Sequence, residues 1–199
     1  LDGPAWRAPR LQARLGAGCA DVMAARQRRA PVFLRVNLRK TTREAAQGLL
    51  AAEGIDARPH PLAMAALEVT EGARRISAAA AYRDGLVELQ DAASQAVVEM
   101  LPLADGMRVL DLCAGGGGKT LAMAARATWR HWAHHSEPRR MTELPARAAR
   151  AGVAVPGTGT PEKTAPSAVI LTDVPCSGSG RWRRDPQGKW ALTEGRLGD

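Results

Sequence analysis

The chain has 199 residues, of which 45% are apolar and 4% aromatic, and 28 Lys and Arg against 20 Asp and Glu give a formal charge of +8. That length accommodates one or two domains, and the arginine excess points to a polyanionic partner, most simply nucleic acid. The three cysteines, Cys19, Cys113 and Cys176, lie far apart, which excludes a disulfide scaffold and a Cys-x-x-Cys metal knuckle and suits a reducing cytoplasm. No apolar run reaches membrane-spanning length and no signal peptide is visible. Leu1 in place of Met, and the stop at Asp199, lead us to expect that both ends are cut.

Residues 1–30 are rich in Arg and Ala and carry Pro4 and Pro9, which predicts a loop and then a helix from about Gly18 to Arg29. The cluster Arg26-Gln27-Arg28-Arg29 is either a solvated helix end or a phosphate contact. Pro31 to Asn37 reads as a strand through its β-branched and apolar residues. Thr41 or Thr42 can cap a helix running to Ala52, with Glu44 in its first turn and Gly54 at its exit. Short strand-like pieces follow at Leu67–Val69 and Arg75–Ser77, so residues 31–80 form a small α+β module. Gly85–Gln90 is a further strand. Asp91 is placed to cap a helix through Met100, with Ala93, Val97, Val98 and Leu101 as its buried stripe.

The chemistry begins after the next strand, marked by Met107, Val109 and Leu110. It ends in Asp111, passes through four glycines at 115–118 and enters a helix predicted over 119–127. Glycines at such a turn let the backbone bend tightly and bring its N–H groups against a ligand that a Cβ would push away. A phosphate-binding P-loop needs Gly-x-x-x-x-Gly-Lys-Thr, but Cys113 stands where the first Gly belongs. The dinucleotide pattern Gly-x-Gly-x-x-Gly meets Thr120 at its third place. An S-adenosylmethionine loop, with an acidic residue ending the strand and glycines four and six positions on, is matched by Asp111, Gly115 and Gly117. An acidic residue suits that cofactor because its methionine part carries an ammonium and a sulfonium.

Beyond the loop, Thr128–His135 stands where a second strand belongs. Its Trp129, Arg130, His131, Trp132, His134 and His135 are poor material for a buried parallel strand. The clustered histidines lack an acidic or Cys partner for a metal site, so none is assigned. Glu137–Ala151 is predicted helical despite Pro145, and 154–167 is loop-like. Ala168–Leu171 reads as a buried strand leading into Asp173-Val-Pro-Cys176. In open α/β sheets ligands bind at the carboxyl ends of the strands, so Asp173 and Cys176 should face the same crevice as the glycine loop.

The motifs together resemble the RsmB-like (Sun/Fmu-type) RNA cytosine-5 methyltransferases over residues 30–199. The matching pieces are Leu34-Arg-Val-Asn37, Tyr82-Arg-Asp-Gly-Leu-Val-Glu-Leu-Gln-Asp-Ala-Ala-Ser-Gln95, Asp111-Leu-Cys-Ala-Gly-Gly-Gly-Gly-Lys-Thr120 and Asp173-Val-Pro-Cys-Ser-Gly-Ser-Gly180. Arg183-Arg184-Asp185-Pro186 and Lys189-Trp190 also match. Beyond the N-terminal basic helical segment read from composition (1–30), the resemblance implies an α/β protein with a small α+β RNA-binding module (31–80) and a class I, Rossmann-like methyltransferase domain (81–199) whose sheet is incomplete at its C-terminal side. The implied activity is methylation of C5 of a cytosine in RNA, most simply ribosomal RNA, by a cytoplasmic monomer that uses S-adenosyl-L-methionine and no metal or membrane.

By the same resemblance, the segment Cys113, Ala114, Gly115, Gly116, Gly117, Gly118 and Lys119, with Asp111 before it, would hold the cofactor. Asp173 would contact both cofactor and cytosine edge. Cys176 would be the thiol that helps release product, and Arg181, Arg183, Arg184 and Lys189 would contact RNA. Three departures from the family pattern stand out. The attacking cysteine of a Thr-Cys-Ser motif does not follow Cys176. His135 stands where an acid would grip the ribose hydroxyls, and no acid for the adenine is identifiable in 154–167. The expectation is therefore a truncated, degenerate copy that does not complete catalysis alone. The alternative is an RNA-binding remnant without turnover, and a P-loop NTPase is the more distant reading.

Overall fold

The computed structural model describes residues 3–126, 130–174 and 176–195. Trp129 and Pro175, both picked out in the sequence, and the end of the helix predicted to Ala127 lie outside them. The chain divides into two compact units, one of residues 31–173 and one combining 1–30 with 174–199.

The larger unit holds two sheets. The first runs β1 (Val32–Val36), α3 (Arg43–Ala52), β2 (Ala57–Pro59), β3 (Ala66–Val69), α4 (Ala80–Arg83) and β4 (Val87–Leu89), where α1 and α2 are the helices that precede β1. Its strand order is β2-β3-β1-β4 with every pair antiparallel, the split β-α-β-β-α-β arrangement of ferredoxin-like folds. Thr42 starts α3 as expected, its side chain accepting from the Ala45 N–H at 3.2 Å. Leu34, Val36, Leu50, Ile55, Leu67 and Val87 fill the core between sheet and helices. The sheet takes in a strand from beyond residue 80, because β4 pairs with β1 through Leu34↔Leu89 and Val36↔Val87.

Two local expectations for this region change. Arg75–Ser77 is not strand: residues Ala73–Ala78 form a 3-10 helix entered through Gly72 in the left-handed region. β2 went unread because it is three residues long and ends in Pro59, a residue that suits only an edge strand.

The helix α5 (Ala92–Glu99) begins at Asp91, whose carboxylate accepts from the Ala93 N–H at 3.0 Å. Its inward residues are Ala92, Gln95 and Val98; Ala93 and Val97 face solvent. The apolar letters at 93 and 97 misled because Gln95 is buried for its hydrogen bonds, donating to the carbonyls of Leu34 and Gln90.

The second sheet consists of β5 (Arg108–Asp111), β6 (Arg130–Ala133) and β7 (Val169–Leu171), in the order β6-β5-β7 and parallel throughout. Between them lie α6 (Gly118–Arg126) and α7 (Leu144–Ala151). The chain passes from β5 to one side and returns to the other, so the strand order reverses between β5 and β7. Crevices form at such a reversal.

Within the stretch read as a poor strand, Arg130–Ala133 does supply the second strand. Its burial alternates, with Arg130 exposed, His131 buried, Trp132 half-buried and Ala133 buried, so β6 needs apolar residues on one face only. Ala168–Leu171 also differs from expectation, since Ile170 is 56% exposed and only Leu171 is buried. Successive side chains of β7 point to opposite faces, and the face that carries Ile170 is left uncovered. The helix predicted over 137–151 is broken into a 3-10 turn at Pro138–Met141 and α7, which carries Pro145 in its first turn, where a missing N–H costs nothing. The loop 154–167 meets the sheet at the bridge Ala133↔Gly157 and through Arg108 of β5, which donates to the Thr164 carbonyl at 2.6 Å.

In the smaller unit, α1 (Arg7–Leu15) occupies part of the predicted loop, and α2 (Cys19–Gln27) follows as expected. Pro9 is tolerated because it lies in the first turn of α1, ahead of the intrahelical hydrogen bonds. Trp182, 8% exposed, has the Arg7 and Arg26 guanidiniums over its ring at 4.2 and 4.7 Å. Among the described residues no helix is long and apolar enough to cross a membrane.

Candidate cofactor site

The glycine loop leaves β5 at its carboxyl end. Ala114 N–H donates to the His134 carbonyl, and Gly117 N–H closes a turn onto the Ala114 carbonyl at 2.9 Å. Gly115 and Gly117 have φ of +51° and +83°, a region that an L side chain enters only at a cost. A Cβ on Gly117 would also meet Leu144 Cδ1 at 2.3 Å, whereas one on Gly115 would meet nothing nearer than the Cys113 carbonyl oxygen at 4.0 Å. Among the described residues, no hydrogen bond is recorded for the N–H groups of Gly115, Gly116 and Gly118. Open space over unspent N–H groups at a helix start is a cradle for the polar or anionic end of a ligand.

Asp111 sits beneath this loop. It is 2% exposed, and Oδ2 accepts from the Thr120 hydroxyl at 2.6 Å. Burial pushes its carboxyl up from 3.8, while the Thr120 hydrogen bond and the nearby Lys119 charge pull the other way. In this conformation Asp111 braces the strand end against the first turn of α6. It does not stand open to a ligand's ammonium, as its spacing had suggested.

Lys119 and Asp173 are the pair that meet. Lys119 Nζ lies 2.5 Å from Asp173 Oδ2, with the lysine side chain 18% exposed and the aspartate 59%. Lys119 opens α6 after β5, and Asp173 follows β7, so adjacent parallel strands bring together residues 54 positions apart. His135 is 4% exposed, and its Nδ1 accepts the Glu137 N–H at 3.0 Å, so that nitrogen is already engaged. Cys113 is half-buried in the loop and Cys176 is exposed. Among the described residues no three His, Cys, Asp or Glu side chains are grouped to hold a metal.

In the smaller unit, Arg181, Arg183 and Arg184 are exposed and Lys189 is half-buried. Arg183 donates to the carbonyls of Arg28 and Arg29 at 3.3 and 3.0 Å, and the Lys189 carbonyl accepts from Arg7 at 3.2 Å. These contacts tie the two ends of the chain together.

Sequence reasoning missed two arginines behind the loop. Arg35, from β1, donates to the Gly118 carbonyl at 2.6 Å and to Gln90 Oε1 at 2.5 Å. Arg147, from α7, donates to the Gly116 carbonyl and lies 3.5 Å from Glu88 Oε2. Arg35 and Glu88 are 6% and 7% exposed. A signal was present, since charges inside otherwise apolar strands must find partners.

A parallel sheet with a glycine loop at the first strand tip, a carboxylate at the neighbouring tip and the strand order reversing between them is the arrangement of class I methyltransferases. The comparisons narrow that class. Residues 98–198 match the family described as 16S rRNA methyltransferase RsmB/F, and residues 3–75 match the ferredoxin-like domain of RsmF/B-like methyltransferases. The chain belongs to the RsmB/F methyltransferase family.

It is 32% identical over 200 residues to Ribosomal RNA small subunit methyltransferase B of Serratia proteamaculans (strain 568), covering 94% of this chain and 45% of the relative. The protein of the same name from Pectobacterium carotovorum subsp. carotovorum (strain PC1) is 34% identical with the same coverage. The chain thus spans somewhat under half the length of these curated relatives. Among solved structures, PH0851 superposes with a TM-score of 0.88 at 25% identity, over 98% of this chain and 46% of its own. A methyltransferase homolog protein from Pyrococcus horikoshii gives a TM-score of 0.74 at 24% identity, over 86% of this chain and 63% of its own.

Proposed function

We propose that this chain carries the RNA-docking and cofactor-binding portion of an S-adenosylmethionine-dependent methyltransferase acting on C5 of a cytosine in ribosomal RNA. The observation that carries the reading is the meeting of Lys119 and Asp173 at the β5 and β7 tips, beside a loop with unspent N–H groups. The small α+β module read over 31–80, whose sheet runs on through β4 to Leu89, serves as the RNA-binding module, the chain beyond it supplies the methyltransferase part, and the protein works as a monomer.

S-adenosylmethionine, when bound, supplies an electrophilic methyl group on its sulfonium. Cys113 to Lys119 would hold its methionine and ribose parts. Cytosine C5 is a weak nucleophile, and in this chemistry a thiolate adding to C6 moves electron density onto C5. The base must leave its stack to reach such a site. Asp173, open to solvent on one side and held by Lys119 on the other, is placed to accept a hydrogen bond from the cytosine amino edge. Cys176 follows three residues later as an exposed thiol, in the position the family uses to help release product. Arg181, Arg183, Arg184 and Lys189 would lie along the RNA phosphates, although Arg183 already spends donors on backbone carbonyls.

Calorimetric titration with S-adenosylmethionine, paired with transfer of labelled methyl from it to cytosine-containing RNA, tests the reading. We expect binding in the micromolar range without turnover by this chain alone. Turnover abolished by Cys176→Ser would make Cys176 the attacking nucleophile. Absence of cofactor binding would favour a non-catalytic RNA-binding remnant.

A further inference from the structure

The carbonyls of Gly116 and Gly118 each accept a hydrogen bond from an arginine, and those arginines are themselves held by the first sheet. Glu88 on β4 lies 3.5 Å from Arg147 Nε and 2.8 Å from Arg150 Nη2. Gln90, which follows β4, takes the Arg35 guanidinium at 2.5 Å. Arg35 is so deeply placed that burial lowers its pKa to about 10, with Glu88 opposing the shift and Arg147 adding to it. Both recorded contacts run through one nitrogen, Nη1, which reaches Gln90 and the Gly118 carbonyl together.

A peptide plane is rigid, and its C=O and N–H point in opposite directions. Gripping the Gly118 carbonyl therefore fixes the direction of the Lys119 N–H at the start of α6. Gripping the Gly116 carbonyl fixes the plane that carries the Gly117 N–H, which closes the turn onto Ala114. A loop of four glycines has little conformational preference of its own, so this external grip is what selects one shape for it.

We propose that Arg35 and Arg147 are positioning residues of the cofactor loop: anchored by Gln90 and Glu88 of the ferredoxin-like sheet, they lock the Gly116 and Gly118 peptides so that the loop meets its ligand preformed. The proposal rests on the cofactor reading above. It makes the first sheet a structural part of the cofactor site as well as a module beside it.

The test uses the full chain with Arg147→Ala, Arg147→Lys and, for the buried partner, Arg35→Lys. Amide hydrogen exchange without ligand gives the first readout: in Arg147→Ala the Gly117 amide exchanges at least tenfold faster, while the amides of β1 and β3 keep their rates. Titration with S-adenosylhomocysteine gives the second. Loss of a charge-assisted grip on the loop weakens binding by roughly ten- to a hundredfold, and Arg147→Lys recovers part of it, because an ammonium donates from one point where the guanidinium spans two partners. RNA binding measured by fluorescence anisotropy stays within about twofold for Arg147→Ala, a surface-side change of one charge. If the unaltered chain binds the probe and all three variants bind it equally with unchanged Gly117 exchange, the positioning role is overturned while the cofactor reading stands. If the unaltered chain binds no probe, both fall.

Discussion

Gly115→Ala and Gly117→Ala form a matched pair, because both glycines have positive φ but only one has a neighbour in the way. Placing an L side chain in the left-handed region costs about 1–2 kcal/mol, and loss of glycine's freedom in the unfolded chain returns roughly 0.4–1 kcal/mol. Gly115→Ala should therefore destabilise by about 1 kcal/mol or less. At Gly117 the new methyl would lie 2.3 Å from Leu144 Cδ1, and Leu144 is 2% exposed among Leu121, Ala133 and Ala148. A side chain packed on all sides does not move aside freely, and overpacking adds about 1–3 kcal/mol. The total for Gly117→Ala is then about 2–4 kcal/mol. Urea unfolding of the two variants beside the unaltered chain measures the difference. The affinity order should reverse: the Gly115 methyl occupies the open space over the loop and should weaken S-adenosylhomocysteine more than its small stability loss suggests. Equal stability losses for the two variants would refute the packing argument at Leu144. Full affinity in Gly115→Ala would refute the placement of the ligand over the loop.

Two further tests concern titration. Burial, with Arg39 adding a like charge, lowers the His131 pKa from 6.5 to about 4, so the folded state resists a proton that the unfolded chain accepts. Stability is full above pH 6.5 and falls as pH drops towards 4, by up to roughly 3 kcal/mol. His131→Gln should flatten thermal stability across that window, and an unchanged slope would count against the burial argument. Thr120→Val removes the hydroxyl that holds Asp111 and should cost about 1.5–3 kcal/mol at neutral pH. Because Asp111 is already raised, and rises further without its donor, the loss should shrink in acid, where the carboxyl is protonated in both states. A loss independent of pH would show that the hydroxyl acts only through packing.

The residues whose local chemistry is self-contained were legible from the sequence. Thr42 and Asp91 start helices with their own side chains, and the β-branched and apolar run Val32–Val36 marks a strand. Each depends on neighbours a few positions away, and each is found where the letters put it. Four ordered motifs carried the family. The errors came where burial depends on distant chain. Ile170 is as apolar as any core residue, yet it is exposed because the face of β7 that carries it is left uncovered. His131 is polar, yet it is buried because β6 turns that face to the core.

Sequence alone therefore determined which stretches could form elements and which motif could meet a cofactor, since backbone preference and hydrophobic period are short-range properties. Tertiary structure alone decided what Asp111, Lys119, Arg35 and Arg147 do. A carboxylate's role as brace or ligand contact depends on what closes over it, and the Thr120 hydroxyl closes over Asp111. A lysine reaches an aspartate 54 residues away only because β5 and β7 are neighbours. An arginine on one sheet can reach a glycine loop 83 residues further on only once folding brings the other sheet's loop within a side chain's length of it. Electrostatic and hydrogen-bond partners are fixed by distance in space, and the linear chain does not state that distance.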